Sequence, residues 1–257
     1  MNKPYTRQQL IDDFYNDLPV KFLFFLGHTD KGNEGIGKFC FSQWYELPFS
    51  VAGITYKTAE HWMMANKAIL FEDEQIHAQI IAAATPGEAK DLGRHVRNFD
   101  EIEWRNRRFE IVVEGNIHKF NQSPDFAQYL LHTGDRVLVE ASPRDTIWGV
   151  GLAQNNEEIN NPDTWRGDNL LGFALMEVRD FLQEFGHFEN MQAPVDVPWI
   201  VHPDIHPFEI FWRMGDGEDL AMRFWEWYLG LDDKQKLLFK LTNPVPYTWR
   251  EKFEVNE

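Results

Sequence analysis

The stretch Tyr56-Lys57-Thr58-Ala59-Glu60-His61-Trp62-Met63-Met64-Ala65-Asn66-Lys67 decides how this chain folds. Thr58 stands where a helix cap accepts a backbone N–H, and the sequence predicts a helix over AEHWMMANKAILF behind it. Just upstream, FCFSQWYELPFSVAGITYKT alternates β-branched and aromatic residues with polar ones and breaks at Pro48 and Gly53. That pattern predicts two short strands and a turn. Farther upstream, Val20 to Leu26 is an apolar run of strand length, followed by a loop with glycines at 27, 32, 35 and 37. Ahead of it, Thr6 and Gln9 have capping-box spacing, and Leu10, Ile11, Phe14 and Tyr15 recur at helical intervals until Pro19.

Downstream the helical signals continue. A second helix is expected through Ile76 to Ala84, and Thr85-Pro86-Gly87-Glu88 opens a third that Gly93 ends. Residues 101–120 form a long candidate whose core face takes in Ile102, Phe109, Ile111 to Val113, Ile117 and Phe120. Ser123-Pro124-Asp125 opens another helix, Arg136 to Val139 is strand-like, and a final amphipathic helix starts near Leu170. The class is α+β with helix dominant.

Two prolines in MQAPVDVP mark a boundary near residues 190–198. Beyond it lie five of the ten tryptophans, at 199, 212, 225, 227 and 249, too many for a solvated segment. Helices near EDLAMRFWEWYLGL and DKQKLLFK need a surface to cover. The expected organisation is a domain over residues 1–189 and an aromatic-rich extension over 190–257.

With 257 residues, 43% of them hydrophobic and 15% aromatic, the chain has material for one generous core or two modest ones. No apolar run approaches the ~18 residues of a membrane span, and the first residues read as neither signal nor transit peptide. One cysteine, Cys40, cannot form an internal disulfide. A cytoplasmic protein with no role for a membrane is expected. The net charge of −16 opposes indiscriminate binding to nucleic acid, although a local basic pocket remains compatible with it.

No nucleophile elbow, P-loop or HExxH is present. His202 and His206 stand four apart, but HPDIHP carries two prolines and no third ligand, so no metal or cofactor is expected. Glu60 and Lys67 share a helical face about 10 Å apart, at about 1.5 Å per residue. A carboxyl there could move a proton and a desolvated lysine could attack an anomeric carbon; the spacing fits equally a surface pair beside a core stripe. Ala141-Ser142-Pro143-Arg144-Asp145-Thr146-Ile147-Trp148-Gly149-Val150-Gly151 reads as a tight loop able to approach ribose or phosphate, or as an ordinary capped turn. Trp165-Arg166-Gly167-Asp168-Asn169 leads into a helix whose first amides could bind an anion, or be simply capped. Trp104, with Arg105, Arg107 and Arg108 beside it and Arg94 and Arg97 upstream, could stack a base and meet phosphates, or be a core residue beside a solvated basic face.

In order along the chain, Ser42-Gln43-Trp44-Tyr45, the Tyr56 to Lys67 stretch, the Trp104 helix, Ser142-Pro143-Arg144-Asp145 through Gly151, and Asn169-Leu170-Leu171-Gly172 through Met176 and Arg179 resemble the NADAR, or YbiA-like, family. The resemblance covers roughly residues 22–185. It implies a single α+β domain that cleaves N-glycosidic bonds without a cofactor. Family activities include removal of ADP-ribose from modified guanine in nucleic acid, and hydrolysis of ribosylaminopyrimidine phosphates early in riboflavin synthesis. Carried over by position, Glu60, Lys67 and Asp145 are the catalytic residues, with Lys67 forming an imine with the sugar. Ser42, Trp44, Trp104, Trp148, Gly149 and Asn169 belong to the substrate pocket. The implied partners are an ADP-ribosylated guanine and an ADP-ribosyltransferase toxin; a non-enzymatic ADP-ribose-binding module is the alternative. Where the family often has Ser-Asn-Phe, this chain has Ser42-Gln43-Trp44, a longer amide and a wider ring in the base pocket.

Overall fold

The computed structural model describes residues 5–256 apart from Lys31, Asn33 and Glu34, so that part of the glycine-rich loop lies outside the described residues. The chain divides into two compact units: Met1–Ser50 with Thr55–His187, and Phe188–Glu257 with Val51–Ile54.

In the first unit, α1 (Arg7–Tyr15) starts at Thr6, whose hydroxyl accepts the Gln9 N–H. Its apolar stripe is narrower than its spacing predicts: Leu10 is buried, whereas Phe14 is 38% and Tyr15 62% exposed. Polar contacts hold the helix instead, Arg7 donating to the Pro162 and Asp163 carbonyls and the Tyr15 hydroxyl to Asp163. Strand β1 (Phe22–Phe25) pairs in parallel with β4 (Val137–Glu140), which sets Phe25 opposite Glu140. The predicted hairpin forms as β2 (Phe49–Val51) and β3 (Ile54–Tyr56). Ala52 and Gly53 turn it in the left-handed region, at φ 49° and 79°.

The helices carry most of this unit. Thr58 caps α2 (Ala59–Leu70), Asp73 caps α3 (Glu74–Ala82), and Thr85 caps α4 (Pro86–Gly93), each by accepting a first-turn N–H. The long α5 (Glu101–Asn121) and α6 (Pro124–Leu131) follow, and α7 (Leu170–Phe185) closes the unit. Helix α2 packs on α3, α4 and α5, α5 packs on α7, and α7 lies against β4. With neighbours on so many sides, α2 is buried almost all round. Two close approaches need glycine: a Cβ on Gly115 would come within 2.3 Å of the Trp62 ring, and one on Gly172 within 2.0 Å of the Leu138 carbonyl oxygen. Trp62 then donates its indole N–H to the Ile111 carbonyl across the α2–α5 contact, at 2.7 Å.

The buried stripe of α5 runs through Trp104, Arg108, Ile111, Val112 and Gly115. Ile102, expected on the core face, is 72% exposed. It stands two residues before Trp104, about 200° around the helix from the stripe.

The second unit contains α8 (Pro198–Val201), α9 (Gly215–Leu229), α10 (Asp233–Thr242) and α11 (Tyr247–Asn256). Its core joins Trp199, Trp212, Phe224, Tyr228, Phe239, Trp249 and Phe253, with Trp225 and Trp227 partly buried against it. Trp199 sits 5.3 Å from both Phe224 and Phe253, in edge-to-face geometry. Among the described residues, no helix is long and apolar enough to cross a membrane.

Candidate active site

Glu60 lies in the first turn of α2, where the helix dipole favours a carboxylate. Burial outweighs that preference. The residue is 2% exposed, and one carboxyl oxygen is fully buried with no hydrogen-bond partner. Its backbone N–H donates to the Gln43 carbonyl at 3.0 Å, fixing the turn against the loop that carries Ser42, Gln43 and Trp44. Desolvation pushes the carboxyl up to about 7, against the opposing Lys90 charge and a hydrogen bond from Trp44, with Asp145 adding to the rise. Lys90 reaches the same corner from α4, 5.8 Å from the centroid of the half-buried Trp44 ring. Gln43 is 7% exposed, and neither end of its side-chain amide has a partner.

A second buried carboxyl joins the first. Glu140 ends β4, and burial pushes it up to about 7, with Asp145 and Glu60 raising it and Lys90 lowering it. One of its oxygens is also buried without a partner. Asp145 is more open: one oxygen accepts the Ile147 and Trp148 N–H groups at 2.9 and 2.7 Å, a turn that leaves the other oxygen available. Asn169 is fully buried and stands behind this wall rather than at its surface. Its side-chain oxygen accepts the Glu140 N–H and its amide donates to the Leu138 carbonyl. Gly149 packs equally closely, since a Cβ there would lie 2.9 Å from the Glu140 carbonyl oxygen.

The start of α7 does not provide the anticipated anion site. Its N–H groups at Asp168, Asn169, Leu170 and Leu171 already donate to the carbonyls of Thr146, Gly149, Ile147 and Trp148. The loop folded over the helix start has taken those donors.

Lys67 lies two turns along α2 from Glu60 and is half-buried. Its ammonium donates to the Gly93 carbonyl at 2.9 Å and sits 4.1 Å from the Phe99 ring centroid and 5.6 Å from that of Trp104. Burial lowers its affinity for a proton, the Glu101 charge opposing, so the neutral amine is more accessible than in a free lysine. Trp104 is thus a wall beside the amine. The arginines expected to surround it are mostly engaged elsewhere. Arg94 pairs with Asp91, Arg97 with Asp73, Arg105 with Glu101, and Arg107 with Glu103 and Glu110. Alternating charges along α5 favour those local pairs over convergence on the ring. Arg108 alone of the five is buried, and the Asp145, Asp168 and Glu101 charges act on it.

The arrangement therefore sets a partly desolvated lysine on an aromatic shelf, with Glu60, Glu140 and Asp145 gathered near Lys90 and Trp44. The sequence profile of the NADAR domain matches residues 24–183. The chain belongs to the NADAR family. It is 42% identical over 170 residues to "N-glycosidase R617" of Acanthamoeba polyphaga mimivirus, an alignment covering 64% of this chain and 98% of that one. It is 35% identical over 141 residues to "N-glycosidase Npun_R5314" of Nostoc punctiforme, covering 55% of this chain and 83% of that one. The NMR structure of the E. coli protein YbiA superposes with a TM-score of 0.51 at 24% identity, over 67% of this chain and 92% of that one, which shows the NADAR fold.

Two groups of this cluster were not singled out from the sequence: Glu140 and Lys90. Glu140 had a signal, since an acid ending a buried apolar strand of a parallel pair points to a site at the strand's carboxyl end. Among the described residues, no three His, Cys, Asp or Glu side chains are arranged to hold a metal ion. His202 ends α8 with its ring against Phe211 and Trp212.

Proposed function

We propose that this protein removes ADP-ribose from guanine by cleaving the N-glycosidic bond between the base nitrogen and ribose C1. The observation that carries the reading is a half-buried lysine and a buried carboxyl with one unpartnered oxygen, two turns apart on one helix, Lys67 and Glu60. Relatives named N-glycosidase support the reaction class, and the motif resemblance supports the substrate.

In this reading the neutral amine of Lys67 attacks C1. The Nζ–C1 bond forms as the C1–base bond breaks, and the departing base nitrogen takes the proton that Glu60 holds up to about pH 7. Asp145 faces the positive charge that develops on the sugar. The carboxylate that Glu60 has become takes one proton from Nζ. Ring opening then passes the second from Nζ to the ring oxygen, leaving an imine. Water adds across it, the C1–Nζ bond breaks, and sugar and free lysine return. An ADP-ribosyltransferase toxin is the partner whose product this chemistry would reverse.

Mass spectrometry after incubation with ADP-ribosylated guanosine tests the reading: free guanine-containing product and ADP-ribose are expected. Release of pyrimidine from a ribosylaminopyrimidine phosphate, with the guanine adduct untouched, would move the substrate to riboflavin intermediates. Binding without release of any base would make the protein an ADP-ribose reader.

A further inference from the structure

Lys119, in the last turn of α5, is 0% exposed. Lysine is seldom found fully inside a fold, because its ammonium must give up water. Here the ammonium donates to the Cys40 carbonyl at 2.6 Å and to the Ser42 carbonyl at 3.0 Å. The other charge acting on it is that of Cys40, whose thiol is itself pushed up to about 12 by burial and so stays neutral. An apolar side chain of the same length would fill this space at lower cost. The two carbonyls therefore matter more than the packing. They stand at the end of the 3-10 turn Lys38–Phe41, where unpaired carbonyls face outward and a cation suits them.

The loop beyond that turn reaches the candidate site. The Ser42 carbonyl also accepts the Tyr45 N–H, and the Ser42 hydroxyl accepts the Trp44 N–H. The next carbonyl, that of Gln43, accepts the Glu60 N–H at 3.0 Å, and Trp44 bonds to the Glu60 carboxyl. One ammonium thus holds the base of a loop whose tip covers the first turn of α2. We propose that Lys119 is a positioning residue, its ammonium clamping the Cys40 and Ser42 carbonyls so that the Gln43-Trp44 loop stays closed over Glu60 and keeps water from its carboxyl. Use of that carboxyl as proton donor rests on the N-glycosidase reading; the clamp itself does not. The other groups acting on Glu60 are Lys90 and Arg94 of α4, Asp145 after β4 and Glu140 on β4, none of them on this loop.

The test uses the full chain and reads Glu60 apart from turnover. Carboxyl-carbon NMR of protein labelled at glutamate Cδ follows the titrations, the Glu60 and Glu140 resonances being assigned by their loss in Glu60→Gln and Glu140→Gln. In the native protein Glu60 is expected to titrate at about 7. Lys119→Met keeps the stem and removes the charge; Glu60 should then titrate lower by about one pH unit or more, a tenfold fall in proton affinity as water enters. Glu140 should not fall with it, and Lys119→Arg, which keeps a cation, should recover part of the change. A lysine that merely held the core together would lower the melting temperature and leave Glu60 where it was. If Lys119→Met does not fold, Lys119→Gln takes its place. An unmoved Glu60 titration, an equal fall at Glu60 and Glu140, a native Glu60 in the ordinary carboxyl range, or failure of both neutral variants to fold would overturn the proposal. Failure of the reaction reading looks different: the Glu60 titration would depend on Lys119 while the native protein cut no N-glycoside. In turnover, the fall of kcat with rising pH should begin at lower pH in Lys119→Met, with KM little changed.

Discussion

The two units bury different things. Every buried polar or charged side chain among the described residues, from Gln43 to Arg179, lies in the first unit, whereas the second is built on Trp199, Trp212, Phe224, Tyr228, Phe239, Trp249 and Phe253. The Trp225 indole nitrogen is the second unit's one buried, partnerless polar atom among the described residues. In the first unit, Gln43, Glu60 and Glu140 all keep buried atoms without partners. Each such group costs about 1–3 kcal/mol, so a fold under selection for stability alone would remove them. The contrast separates a unit that sacrifices stability for chemistry from one held together by packing. It follows that substitutions should cost turnover in the first unit and stability in the second.

Lys67→Ala is the strongest way to test that division. It removes the proposed nucleophile and should lower turnover by about a thousandfold or more, while the melting temperature changes little. Borohydride added during turnover should trap a sugar on Lys67 of the native protein, read by peptide mass spectrometry. Full activity in Lys67→Ala would end the covalent mechanism.

Glu60→Gln comes next, with an expected loss of about 10²–10⁴-fold. The native rate should fall as pH rises through about 7, because the proposed proton donor loses its proton there. The variant should lack that limb. Stability of the native protein falls in the same direction. A carboxyl raised in the folded state contributes stability below its unfolded value, and that contribution is lost as pH rises through the folded value near 7. At pH 8 the variant should therefore gain about 1–3 kcal/mol relative to the native protein, a gain absent at pH 4 in denaturant titrations.

Phe224→Ala addresses the other side. Phe224 is fully buried, stacked 5.8 Å from Tyr228 and packed edge-to-face on Trp199. Its truncation should destabilise the second unit by about 3–5 kcal/mol, seen by calorimetry, with kcat within about twofold. A parallel collapse of turnover would erase the distinction between the units.

What the sequence revealed was local. Thr58 and Thr85-Pro86 announce their helices because a cap acts within a few residues. Lys67 and Glu60 could be paired because one helix carries both. Glu140 could not be joined to Glu60 in that way, since one ends a strand and the other begins a helix, and only the fold brings their charges together. Asn169 had the opposite problem. It stands at a helix start, where its type suggests a cap, but its backbone is left-handed at φ 57° and its side chain makes no cap bond. Its amide is bonded to β4 instead, a tertiary partner that no short-range pattern reveals. The arginines around Trp104 were visible as a group, but ion pairing divided them by which helix face each occupies.

That division gives the smallest expected effect. Arg105 and Arg107 bond to acids on their own helix, and Arg105 is 68% exposed. An exposed pair such as that of Arg105 is worth about 0–1 kcal/mol, so Arg105→Ala should leave both stability and KM nearly unchanged. The charges of Arg105 and Arg107 are also largely offset before any nucleic acid arrives, on a chain whose net charge is −16. A long strand would therefore release few counterions on binding. The slope of log affinity for ADP-ribosylated DNA against log salt should correspond to about one or two phosphates. An ADP-ribosylated nucleoside should be processed nearly as well as the modified oligonucleotide. A steep slope that flattens in Arg105→Ala would mean that the paired face opens to a strand, and recognition would then extend beyond the polar pocket to the surface of α5.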